Sequence, residues 1–305
     1  MTCRVLFSRK VLALETRKKS RENILDYIHR GRWTSSGSNP SLQETVHFGS
    51  RIVKKEEKAE LVSEVFTSVA SRYDIMNDLM SGGMHRLWKD DFVRKLGVAT
   101  CARATGSIPR LLDVAGGTGD IAFRVIQQLI NWLPSAVSAQ SNPYIIVSDP
   151  NAAMLEVGRK KAKERHILPE IMKFEIGHAH ELPYDDNTFD FVTISFGLRN
   201  CTDIFAALQE MRRVLKPGGR FECLEFSKVS DPLLNTIYRT YSKRVIPELG
   251  ARVANDRDSY DYLVESIRRH PDQLQLLSQL SAAGFKSPSY RNLTFGVVAI
   301  HSGFK

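Results

Sequence analysis

The segment Leu111-Leu112-Asp113-Val114-Ala115-Gly116-Gly117-Thr118-Gly119-Asp120 constrains the fold more than any other stretch of the chain. A short apolar run reads as a strand, and a glycine-rich turn carries it straight into a helical pattern at 119–130. Glycines let the backbone take positive φ and come close to a ligand. The first N–H groups of the next helix lack partners within that helix and can hold the same ligand. Such a loop alone fits a dinucleotide, S-adenosylmethionine or no ligand. Its spacing departs from the dinucleotide pattern Gly-x-Gly-x-x-Gly, because Ala122, a residue sometimes accepted there, stands at the third glycine.

From this loop onward strands and helices alternate. Strands read near 110–115, 144–148, 171–176, 189–195 and 220–226, with helices near 119–130, 151–165 and 203–215. That alternation implies a parallel sheet covered on both faces. Residues 286–292 and 295–302 read as a C-terminal hairpin added to the sheet. Upstream, Leu61, Val62, Val65, Phe66 and Val69 share one helical face, a second helix spans about 84–96, and 97–109 reads as a loop. A mostly helical insertion occupies 228–283, with Leu233, Leu234, Ile237, Tyr238, Tyr241, Val245 and Ile246 among basic residues. It either packs on the core or forms a lid over an apolar substrate.

No apolar run approaches the ~20 residues of a membrane-spanning helix. Cys3, Cys101, Cys201 and Cys223 lie far apart, which argues against a disulfide scaffold or a zinc site and suits a reducing compartment. The net charge of +9 suggests nucleic acid until it is located: residues 1–40 carry nine basic and three acidic residues, and the rest is nearly balanced at +3. Residues 1–40, basic, Ser-bearing and ending in Thr34-Ser35-Ser36-Gly37-Ser38-Asn39-Pro40, suit a mitochondrial transit peptide or a basic tail. The expected folded body is 44–305.

Asp149 ends the second strand, where a carboxylate accepts both ribose hydroxyls or caps the helix that follows. Leu182-Pro183-Tyr184, Phe189-Asp190 and Leu215-Lys216-Pro217-Gly218-Gly219 recur together in Rossmann-like S-adenosylmethionine-dependent methyltransferases. The Lys-Pro-Gly-Gly turn reads as a stop for one helix and the start of a strand.

Longer segments narrow the resemblance. They are Tyr73-Asp74-Ile75-Met76-Asn77-Asp78-Leu79-Met80-Ser81-Gly82-Gly83-Met84-His85-Arg86-Leu87-Trp88, Ile194-Ser195-Phe196-Gly197-Leu198-Arg199-Asn200, and Arg213-Val214-Leu215-Lys216-Pro217-Gly218-Gly219-Arg220-Phe221-Glu222-Cys223-Leu224-Glu225-Phe226-Ser227. With Ala254-Asn255-Asp256 and the run Asp258 to Ile267, they resemble the ubiquinone/menaquinone biosynthesis C-methyltransferases over about 46–304. The resemblance implies a class I S-adenosylmethionine-dependent methyltransferase fold, α/β, with a mostly parallel seven-stranded sheet, an antiparallel C-terminal hairpin and added N-terminal helices. It implies S-adenosyl-L-methionine as methyl donor, no metal, and donor contacts at Gly117, Thr118, Gly119, Asp149, His178, Ala179 and Ser195. Where the family often has Asn before Ala or Gly, this chain has His178, and Ala115 stands where many methyltransferases have the first loop glycine.

Mitochondrial members methylate 2-methoxy-6-polyprenyl-1,4-benzoquinol, so the resemblance also implies a polyprenyl benzoquinol acceptor and a homodimer. It further implies other ubiquinone-biosynthesis enzymes as partners, no nucleic acid, and peripheral contact with the matrix side of the inner membrane. Methylation at carbon needs an electron-rich ring, hence a quinol whose phenol is made more acidic. A guanidinium stabilises that oxyanion without losing its own proton. Arg199 is the first candidate and Asn200 the second, against a salt bridge and a turn residue respectively. A bound water, Glu225 or His180 is the candidate base. Tyr73, Asp74, Asn77, His85 and Trp88 either cap the donor site or lock the N-terminal helices to the core.

Overall fold

Leu111 faces one apolar cluster and Leu112 the other, and this alternation lets one strand bury both faces of a sheet. The computed structural model describes residues 45–48, 51–130, 144–229 and 257–305, with scattered positions between 231 and 248. The 1–40 leader, Leu233, Ile237, Tyr238, Val245 and Ile246 lie outside the described residues.

The elements in chain order are β1 (Thr45–Phe48), β2 (Arg51–Lys54), α1 (Lys55–Val69), α2 (Tyr73–Ser81), α3 (Met84–Leu96) and α4 (Val98–Thr105). Then come β3 (Leu111–Val114), α5 (Asp120–Leu129), β4 (Ile145–Asp149), α6 (Ala152–Glu164), β5 (Met172–Ile176), β6 (Phe189–Ser195), α7 (Ile204–Val214) and β7 (Leu215–Phe226). The last are α8 (Arg257–Arg269), α9 (Gln273–Ala282), β8 (Lys286–Leu293) and β9 (Val298–Phe304). Seven strands form one sheet in the order β5-β4-β3-β6-β7-β9-β8, parallel except for β9, which runs antiparallel to both β7 and β8. The expected mostly parallel sheet with a C-terminal hairpin is what the chain forms.

Helix positions follow from spacing and caps. Ile121, Ala122, Val125, Ile126 and Leu129 bury one stripe of α5. Asp203 caps α7 by accepting the Ala206 N–H at 2.9 Å, and Ala207, Leu208, Met211 and Val214 are buried. Helices α8 and α9 occupy the end of the expected 228–283 insertion, and α9 begins with a reciprocal Asp272–Gln275 capping box. No helix among the described residues is long and apolar enough to cross a membrane.

Three readings need correction. The 97–109 stretch holds α4, a helix of eight residues with Val98 and Ala102 buried one turn apart. The antiparallel β1–β2 hairpin, pairing Thr45 with Lys54, was not anticipated. The Lys-Pro-Gly-Gly turn does not precede its strand: β7 starts at Leu215, pairs Phe189 with Leu215 and then Phe191 with Arg220, so 216–219 loop out as a bulge.

Candidate active site

Strand order reverses at β3, whose neighbours β4 and β6 lead away in opposite directions, and ligands bind at the strand ends beside such a reversal. A cavity of about 100 Å³ lies there. Its floor is the β3–α5 loop, including Gly117 and Thr118. Asp149 stands on one side, Ser195, Phe196, Gly197 and Asn200 on the other, and Val62, Ser63 and Phe66 of α1 form the cover.

The loop has little freedom to be anything else. A Cβ on Gly116 would come within 2.7 Å of Val147 Cγ1 and 2.8 Å of Asp113 Oδ2. Gly119, the residue before α5, has φ +81° and meets the Phe174 ring. Ala115 takes φ +50°, a conformation that strains a non-glycine residue. The Gly117 N–H donates to Asp149 Oδ2 at 2.9 Å, and the Asn151 N–H donates to Asp149 Oδ1 at 2.8 Å. An ionised carboxylate has about four acceptor sites, so each oxygen keeps capacity for a ligand hydroxyl. Burial pushes the Asp149 carboxyl up to about 6 against those two hydrogen bonds. The helix cap itself is Asn151, whose Oδ1 accepts the Met154 N–H at 2.9 Å. Asp149 is therefore free of the capping duty that the sequence left open.

Thr118 and Ser195 line the same cavity, and Ser195 Oγ is buried with no partner among the described residues. Gly119 sits at the turn into α5. His178 and Ala179 follow β5 but do not line the cavity; His178 is exposed, and its ring lies 5.7 Å from that of His180. Ala179 packs against the second apolar cluster.

Asn200 reaches the cavity, and its Oδ1 accepts the Tyr262 hydroxyl at 3.0 Å. Arg199 does not line it. Its guanidinium pairs with Glu225 at 2.9 Å and also donates to the Phe196 carbonyl, while the Arg199 N–H meets Glu225 Oε2 at 3.3 Å. Arg199 and Glu225 thus brace the 198–200 turn, and both side chains are nearly fully buried. Of Tyr73, Asp74, Asn77, His85 and Trp88, only Tyr73 lines the cavity. Asp74 pairs with Lys161, His85 with Asp78, and the Trp88 indole N–H donates to Thr294 Oγ1 at 2.8 Å, so these three lock helices in place. Asn77 is buried and its Nδ2 has no partner.

Two charged cavity residues, Lys89 and Asp113, escaped the sequence reading. Lys89 is the one cation lining the cavity among the described residues; it pairs with Asp120 at 2.8 Å, and its ammonium lies 5.9 Å from the Phe196 ring centre. With Arg124, it holds the Asp120 carboxyl down at about 2 against burial. Asp113 is fully buried; its Oδ1 accepts the Thr193 hydroxyl at 2.8 Å, its Oδ2 has no partner, and burial raises it to about 7. A charged residue inside an otherwise apolar strand was a readable signal for Asp113. Lys89 offered only its helical spacing from Trp88 and Phe92.

The orphaned Ser195 hydroxyl, the spare acceptor sites of Asp149 and the close-approach loop together fit a polar ligand with a ribose and a charged tail. The profile of the ubiE/COQ5 methyltransferase family matches residues 51–305. A ubiquinone/menaquinone biosynthesis C-methyltransferase of Dinoroseobacter shibae is 51% identical over 87% of this chain and 98% of its own length. The mitochondrial 2-methoxy-6-polyprenyl-1,4-benzoquinol methylase of Dictyostelium discoideum is 46% identical over 89% of both chains. That of Bos taurus is 47% identical over 85% of this chain and 83% of its own.

Proposed function

The chain belongs to the ubiE/COQ5 methyltransferase family, and from that premise we propose how its cavity carries out the reaction. The protein is an S-adenosylmethionine-dependent C-methyltransferase of ubiquinone biosynthesis, acting on the ring of 2-methoxy-6-polyprenyl-1,4-benzoquinol. The observation that carries the reading is a cavity at the β3–β6 reversal with Asp149 at one end and Asn200 at the other.

The donor supplies an already activated methyl on a sulfonium, so the protein has only to hold it and to aim an electron-rich carbon at it. Asp149 accepts the ribose hydroxyls, Gly117, Thr118 and Gly119 bring backbone close, and the free Ser195 hydroxyl adds a further polar contact. His178 and Ala179, on the loop after β5, stand outside the cavity lining and are proposed to meet only the outer edge of the donor. The acceptor ring belongs beside Phe196, Gly197 and Asn200, with Tyr73 opposite. Asn200 donates its amide to a ring oxygen. Lys89, paired with Asp120, is the cation of the cavity and favours the phenolate by a pre-aimed charge; the phenol proton, and then the ring proton displaced by the methyl group, leave to water. Arg199 acts through position: with Glu225 it fixes the turn that carries Asn200. Orientation of this kind lowers the barrier by making the encounter intramolecular.

The relatives' names support a mitochondrial location. The leader at 1–40, a homodimer, an assembly with other ubiquinone-biosynthesis enzymes and a peripheral place on the matrix side of the inner membrane extend the same reading. An apolar wall for the polyprenyl tail is assigned to 228–263, much of which lies outside the described residues. The test is methyl transfer from labelled S-adenosylmethionine to a short-tailed 2-methoxy-benzoquinol, with and without reductant. Reductant-dependent label on a ring carbon is expected. Tight donor binding with no label on the ring under either condition would reject this acceptor.

A further inference from the structure

A second cavity, about 330 Å³, adjoins the 198–202 turn, walled by β1, α1, the turn and the end of α8. Lys58, Arg199, Arg269 and His270 line it, and no acidic side chain does among the described residues. Arg269 is matched by Glu265 at 2.9 Å. Lys58 is different. It is 9% exposed, its ammonium donates to the Cys201 carbonyl at 3.0 Å, and no described carboxylate pairs with it. A buried ammonium with no counter-charge among the described residues is costly.

His270 repeats the pattern. It is 5% exposed, yet neither ring nitrogen has a partner among the described residues. Buried polar side chains are nearly always satisfied, so such an orphan calls for a missing group. Arg199 Nε, on the same wall, also lacks a partner. These groups belong to three separate elements that wall one cavity, and the Arg199 and His270 nitrogens are buried in that wall.

We propose that this cavity binds a phosphate group, held by Lys58, Arg199 and His270. A tetrahedral oxyanion offers enough oxygens to accept from all three at once, and charge-assisted hydrogen bonds to an anion are the strong ones. At about 330 Å³ the cavity has room for a substituent on that phosphate. Its source is either a soluble phosphate ester or the headgroup of an anionic phospholipid. Tyr262 also lines the cavity and bonds to Asn200, so an occupant sits one side chain away from the acceptor site. The site does not depend on which ring the protein methylates.

The test uses the full chain. Inorganic phosphate and glycerol 3-phosphate are titrated by calorimetry against chloride at matched ionic strength. Vesicles of phosphatidylcholine, with and without phosphatidylglycerol, are tested by flotation. At least one phosphate probe binds the wild type, and Lys58→Met and His270→Phe each weaken it tenfold or more while S-adenosylmethionine affinity stays unchanged. Binding of the soluble probes assigns a free ester; retention only on phosphatidylglycerol vesicles, lost in both variants, assigns a headgroup. Donor affinity reports folding, so if one variant fails to fold the other carries the test. Binding no better than chloride together with no phosphatidylglycerol preference, or binding that survives substitution in a folded variant, overturns the proposal.

Discussion

Tyr262 donates its hydroxyl to Asn200 Oδ1 at 3.0 Å, tying a residue of the C-terminal insertion to the rim of the donor cavity. The bond fixes the Asn200 amide so that its nitrogen end is available to a ligand. Tyr262 is itself held: its ring stacks on Phe48 with centres 4.5 Å apart. Burial keeps its phenol well above the usual tyrosine range, so it remains a donor. The β1–β2 hairpin thereby supports the position of Asn200, the residue proposed to face the acceptor.

Tyr262→Phe removes that bond and little else. A net loss of about 1 kcal/mol in stability is expected for one hydrogen bond. The kinetic effect is larger and specific: kcat falls roughly tenfold as the Asn200 amide loses its orientation, with the KM for S-adenosylmethionine unchanged. Steady-state kinetics varying each substrate checks this, and equal damage to both KM values would mean a general loss of structure.

Arg199→Ala leaves Glu225 buried and unpaired, and breaking such a pair from one side costs about 3–5 kcal/mol. The double variant Arg199→Met/Glu225→Leu removes both charges and recovers most of that stability. Activity does not recover with it, because the 198–200 turn loses the bonds that aim Asn200. Denaturant melts set beside turnover rates separate the two effects. Full activity in the double variant would show that the bracing is dispensable.

The sheet was legible because its signals are local: β3 and the glycine loop announce themselves by residue type alone. Helix α4 was not, because eight residues with only two buried positions carry almost no periodicity. The position of Arg199 at the end of β6 was readable, but the direction of its guanidinium is set by Glu225 on the neighbouring strand, a contact 26 residues away in sequence. Lys89 was missed for the same reason. Its partner Asp120 opens a different helix, and only the fold brings the two together.

Donor affinity depends on pH through Asp149. Burial raises its carboxyl to about 6, above the free value of 3.8, so the empty protein takes up a proton there as pH falls through 6. Ribose hydroxyls need the ionised acceptor, so S-adenosylmethionine binding is flat above about pH 7 and weakens toward tenfold per unit well below 6. Stability runs the other way. A carboxyl raised on folding costs stability at neutral pH, and that cost is relieved as pH drops through 6, as it is for Asp113 through about 7. Calorimetric titrations across this range, with Asp149→Asn as the weak and flatter control, test the assignment.

The donor cavity of about 100 Å³ is smaller than the roughly 300–1,000 Å³ of small-molecule sites, and α1 is what closes it. Asn151 is the latch: its Nδ2 donates to the Ser63 carbonyl at 2.9 Å and to Thr67 Oγ1 at 2.8 Å. Val62, Ser63 and Phe66 of α1 cover the cavity, so donor entry is expected to lift α1. Weakening the latch populates the lifted form, which speeds association, and it destabilises the closed complex, which speeds release. Thr67→Val, on an exposed position, removes one latch bond and leaves the α6 cap intact. Both rates rise several-fold while the equilibrium affinity moves little. Asn151→Ala raises them further and also costs about 1 kcal/mol of stability through the lost cap. Stopped-flow measurement of donor binding resolves the two rates. Rates in Thr67→Val equal to the wild type would place the moving part elsewhere than α1.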